Sequence, residues 1–149
     1  MITISLVEND KITIQSEEIK IQLSGFNPDD FPKLPELTST ESFKMPMNTL
    51  IQMIKQTSIA VSHNDSRPVL TGLLLSFQVN KLICAATNSH RLALSEQEIA
   101  NGIKGTYILP LQSAKELIRL FSSSSEEITL YTSDRYLIFK SHDITFYSR

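Results

Sequence analysis

The chain has 149 residues, a formal charge of −2, 41% hydrophobic and 20% charged residues, the proportions of a globular domain and not of a disordered chain. Its apolar runs fall far short of the roughly 20 residues needed to span a bilayer and no basic, apolar leader follows Met1, so the expected location is cytoplasmic and off the membrane. Near-neutral charge excludes a protein that coats nucleic acid by bulk charge, and leaves room for a local basic face.

In chain order, residues 2–7, 11–15 and 19–23 alternate apolar and polar side chains, which predicts a three-stranded antiparallel meander with Ile4, Leu6, Ile12, Ile14, Ile19, Ile21 and Leu23 on one face. Residues 27–35 carry Pro28, Pro32 and Pro35, too many for helix interior or central strand, and read as a linker. A strand at 42–45 precedes Met47, Leu50, Ile51 and Ile54, the spacing of one helical face, with Pro46 suited to the first turn. Strands follow at 70–79, 81–86 and 91–95. The single cysteine, Cys84, sits in the second of these as a small buried hydrophobe, which excludes an intramolecular disulfide and a thiolate metal cluster. A strand at 106–109 leads into a helix at 111–121, and strands at 127–132, 136–140 and 144–147 end the chain.

Laying the two strand–helix starts over each other brings Phe43-Lys44-Met45-Pro46-Met47 onto Tyr107-Ile108-Leu109-Pro110-Leu111, and Lys55 onto Arg119, at a constant shift of 64 residues. Ile12, Ile14, Ile19 and Ile21 likewise match Leu137, Phe139, Ile144 and Phe146 at a shift of 125, close to twice the first. The fold class is therefore α+β, with two β-α-β-β-β units carrying helices on one side and antiparallel sheets on the other, and the opening meander the tail of a preceding unit.

Phe31-Pro32-Lys33-Leu34-Pro35, residues 56–62 (QTSIAVS), Arg67-Pro68-Val69-Leu70-Thr71-Gly72 and residues 86–93 (ATNSHRLA) together resemble the bacterial DNA sliding clamp, the beta subunit of DNA polymerase III. The resemblance spans the chain and implies the end of a clamp's first domain over residues 1–38 and its middle domain over 39–149. It implies a processivity factor without catalytic residues or cofactors, a ring of two subunits around double-stranded DNA in the full-length form, and docking of the polymerase III catalytic subunit, the clamp loader and other proteins that carry a clamp-binding motif. One departure is Asn88, where the family has Asp. A stand-alone mini-clamp that competes for the same partners is the alternative reading.

Two surfaces follow. On the helices, Lys55, Lys115 and Arg119 lie on polar faces that would meet phosphates without reading bases, and the resemblance adds Asn64 and Arg67 near the rim of the hole. The resemblance also implies half of a peptide pocket at Leu70, Thr87, Ser89, His90, Arg91 and Leu92, with apolar wall from the two leucines and polar orientation from the rest. An enzyme built on Ser89, His90 and Asp65 lacks every accompanying nucleophile, phosphate or metal motif, and His63, His90 and His142 have no metal-ligand spacing.

Overall fold

A sheet covered on one side only sends alternate side chains inward, and Phe43, Met45, Leu73, Leu75, Phe77, Leu109, Ile128 and Leu130 are the inward set of four strands here. A computed structural model of the chain describes residues 1–7, 10–33, 42–64, 66–99, 104–122, 126–133 and 135–149. Its contacts separate two compact units, Met1–Glu36 and Leu37–Arg149. The expected boundary between residues 38 and 39 lies outside the described residues.

In the N-terminal unit, β1 (Ile2–Val7), β2 (Lys11–Ser16) and β3 (Ile19–Ser24) form an antiparallel meander. Its register sets Ile4 opposite Ile14 and Ile14 opposite Ile21, so the apolar residues share one face. Ile4 and Leu6 on that face are 69% and 77% exposed. A 3-10 turn at Pro28–Asp30 follows, capped by Asn27 Oδ1, which accepts from the Asp29 amide at 2.9 Å.

The larger unit runs β4 (Ser42–Pro46), α1 (Met47–Ser58), β5 (Gly72–Gln78), β6 (Lys81–Thr87), β7 (Leu92–Glu98), β8 (Gly105–Pro110), α2 (Leu111–Phe121), β9 (Glu127–Thr132), β10 (Leu137–Ser141) and β11 (Ile144–Ser148). Both helices start where alternation gives way to a helical apolar stripe, with Met47, Leu50, Ile51 and Ile54 buried from α1 and Ala114, Leu117 and Phe121 from α2. Pro46 stands as the extended N-cap of α1 and not in its first turn, and Pro110 does the same for α2. The expected strand at 70–79 begins later. Pro68 starts a 3-10 turn through Thr71, whose hydroxyl donates to the Pro68 carbonyl at 2.8 Å.

The sheets have the orders β7-β6-β5-β8 and β11-β10-β9-β4. Each β-α-β-β-β half therefore gives its first strand to the other half's sheet. α1 and α2 pack against each other on the inner sheet faces, and the core is continuous from Phe43 to Phe139.

The 64-residue spacing holds for the helix starts, Met47 and Leu111. Beyond the helices it drops to 55, because Gly72 pairs with Pro110 as Glu127 pairs with Pro46. The first half thus carries nine more residues from the start of its helix to the start of the next strand. It also has a longer hairpin: Ala86 and Ala93 enclose six residues, where the equivalent Ser141 and Ile144 enclose two. In the other echo, Glu17 and His142, 125 residues apart, both take left-handed backbone at φ 50 and 42 in their hairpin turns.

Cys84 is fully buried with its Sγ 3.0 Å from Thr57 Oγ1. Burial pushes its thiol up to about 11, against a smaller lowering effect of the Thr57 hydroxyl. The folded chain holds this proton where the unfolded chain releases it, so the contribution is complete below the ordinary thiol value of about 8.5 and declines as pH rises towards 11. The stability advantage of the wild type over Cys84→Ala should shrink between about pH 8 and about pH 11 in thermal melts. A constant difference would contradict this.

Candidate functional site

The two stretches that the second half lacks come together on the first. After α1, Ala60 and Val61 are buried and their amides bond back to the Thr57 and Ser58 carbonyls, so the loop leaves the core on a fixed footing. The Ser62 amide then donates to the Leu70 carbonyl at 2.9 Å and closes the loop's base. His63 and Asn64 are exposed beyond it, and Asp65 lies outside the described residues.

The second stretch is the turn at residues 88–91. Thr87 Oγ1 donates to the Arg91 carbonyl at 2.8 Å and accepts from the Ser89 amide at 3.1 Å. Asn88 Oδ1 accepts from the His90 and Arg91 amides at 3.2 and 3.1 Å. Ser89 is left-handed at φ 73. Arg67 joins the two stretches, since its Nη2 donates to Ser89 Oγ at 2.8 Å. Ser89 and His90 thus sit in a turn held by the Thr87 and Asn88 side chains bonding to its backbone, with the serine hydroxyl committed to a guanidinium.

Between the stretches lies an apolar hollow of about 250 Å³ on the sheet face turned away from the helices. Leu70, Thr87 and Leu92 line it, together with Val69, Gly72, Leu74, Ala85 and Ile108. Leu92 is 70% and Val69 61% exposed, so the rim is apolar and open to solvent. Ser89, His90 and Arg91 stand beside it on the exposed turn. Gly72 forms part of the floor, and a Cβ there would lie 2.6 Å from the Leu109 carbonyl oxygen and 2.7 Å from Ile108 Cγ2. A second hollow of about 320 Å³ shares Val69, Gly72 and Ile108 and extends to Pro110 and Arg149. Larger hollows elsewhere are lined by charged side chains such as Lys81 and Glu96, which pair with each other.

Val69, Leu74 and Ile108 were not among the pocket residues expected from the sequence. The available signal was Ile108, an apolar residue on the outward phase of Tyr107-Ile108-Leu109. Its pairing with Leu74 crosses between the halves and has no local trace.

On the helices, Lys55 and Lys115 are exposed and have no ion-pair partner among the described residues. Arg119 is exposed as well, but its Nε lies 2.7 Å from Glu116 Oε2 one turn earlier. Arg67 is turned to Ser89 and is not grouped with these cations.

The family description for the central domain of the DNA polymerase III beta subunit matches residues 44–149. The chain belongs to this family. The beta sliding clamps of Staphylococcus epidermidis and Staphylococcus aureus are 34% and 33% identical to it over 149 residues, covering 99% of this chain and 40% of theirs. The crystal structure of the DNA polymerase sliding clamp from Bacillus subtilis superposes with a TM-score of 0.89 at 29% identity, over 99% of this chain and 40% of that one. The DNA polymerase III beta chain of Streptococcus pneumoniae gives 0.86 at 26% identity, over 99% and 40%. The chain therefore spans about 40% of the length of its sliding-clamp relatives.

Within this beta-subunit domain the turn at 88–91 needs an acceptor at position 88 and not a charge, because Asn88 already binds two amides through one oxygen. Asn88→Asp should leave stability within about 0.5 kcal/mol of wild type, whereas Asn88→Ala, which orphans both amides, should cost about 1 kcal/mol in urea denaturation. Equal losses for the two variants would refute the acceptor role.

Proposed function

We propose that the chain is the central part of a DNA sliding clamp, supplying a helix-lined segment of a DNA-encircling ring and half of a pocket that docks polymerase, clamp-loader and repair proteins. The observation that carries this reading is the apolar hollow with Leu92 and Val69 on its rim and His90 and Arg91 beside it. Such a site takes a short peptide through apolar anchors, while the neighbouring polar groups fix the backbone. Leu92 is exposed enough for Leu92→Asp to fold normally. It should weaken a synthetic peptide carrying the apolar anchors of a clamp-binding motif at least about tenfold, some 1.4 kcal/mol, by calorimetry. Undiminished binding would remove the pocket from this face.

The helix cations support the other half of the reading. Lys55 and Arg119 sit in the last turns of equivalent helices, where positive charge also suits the helix dipole. Two lysines unpaired among the described residues and one arginine shared with Glu116 give a shallow positive field, which suits sliding better than grip. Double-stranded DNA should bind the chain weakly, without base preference and only at low salt, and combined replacement of Lys55, Lys115 and Arg119 by Ala should remove most of that binding in fluorescence anisotropy. Tight binding at physiological salt would contradict it.

A further inference from the structure

We propose that Arg67 is a positioning residue for the peptide site: by donating to Ser89 Oγ it holds the 88–91 turn, and with it His90, in the conformation that receives a peptide. The inference rests on the pocket reading for its functional half and stands on geometry for its structural half.

The bonds made by Thr87 and Asn88 set the local shape of the turn, but all of them close within residues 87–91. They leave the turn able to swing as a body about its last ladder pair, Thr87 with Leu92. Ser89 also keeps a left-handed backbone, which a non-glycine residue adopts at a cost, so the bond its side chain makes bears on the strained position of the turn. Among the described residues, the bond from Arg67 to Ser89 is the one hydrogen bond that leaves the turn for another segment.

Arg67 is placed to act as a post. Its carbonyl accepts from the Leu70 amide at 3.0 Å, and the loop base beneath it is closed by Ser62 and rooted in buried Ala60 and Val61. A guanidinium donates in a fixed planar fork, so the bond carries direction as well as attraction.

The test uses the full 149-residue chain. Arg67→Ala should speed amide hydrogen exchange at His90 and Arg91 severalfold and weaken the synthetic motif peptide about three- to tenfold, while the thermal melt stays in place. Ser89→Ala should produce the same loss, the double variant should be no weaker than either single, and Arg67→Lys, which keeps a donor but not the planar fork, should recover only part of the affinity. Two results overturn the proposal: unchanged exchange in Arg67→Ala, or a loss on removing Arg67 that is just as large in the Ser89→Ala background, which would make Arg67 a direct peptide contact. If the unaltered chain binds no peptide while exchange responds to Arg67→Ala, the pocket reading fails and the turn-holding bond stands.

Discussion

The main-chain hydrogen bonds that β4 makes with β9 and β8 makes with β5 are the condition on which the larger unit depends. Without them each half has a three-stranded sheet with a bare edge and a helix with nothing to bring it onto the sheet. With them, each helix leaves the end of a strand embedded in the opposite sheet, and α1 and α2 are forced together between the two inner faces. Pro46 and Pro110 suit this junction because a residue ending a strand and capping a helix has no ladder donor to lose. The core that results, with Met45, Leu50, Leu75, Leu109, Leu117 and Phe139 all essentially inaccessible, belongs to neither half alone.

On that near-symmetric frame the chemistry is asymmetric. The longer connection after α1 and the longer hairpin between β6 and β7 both belong to the first half, on adjacent strands of one sheet. They leave the pairing of the core strands undisturbed, so new surface was added where it costs no ladder hydrogen bond. The helix face differs in kind, since two of its cations, Lys55 and Arg119, lie at positions the repeat itself makes equivalent. One surface uses the symmetry of the fold and the other breaks it.

Much of this was legible in the sequence because each signal was local. Alternation in Phe43-Lys44-Met45, the stripe of Met47, Leu50, Ile51 and Ile54, and the recurring Pro-Met and Pro-Leu junctions all report on neighbours within a few residues. Leu70 and Thr71, the end of the Pro68 turn, read as strand because Leu70 and Leu73 continue an apolar run, and the capping by Thr71 is visible only in three dimensions. The exchange of first strands is a pairing between residues such as Phe43 and Leu130, and no spacing within either half encodes it. The same limit applies to the hollow: Leu70, Thr87 and Leu92 came from motifs, whereas Leu74 and Ile108 join them only through cross-half register. Arg67 was placed by analogy with a rim, and its bond to Ser89 depends on two loops whose meeting is purely tertiary.

Gly72 sets how adaptable the hollow can be. Its neighbours at the missing Cβ include a backbone carbonyl, which has no rotamer to change, so the depth at that point is fixed by the approach of β5 to β8. The rim is made of side chains largely free in solvent, Leu92 and Val69, which can turn to meet differently shaped occupants. Rigidity is thus assigned to the floor and plasticity to the lip. For the peptide proposed to dock here, such a division would tolerate variety in how it enters while limiting the size of what reaches the bottom.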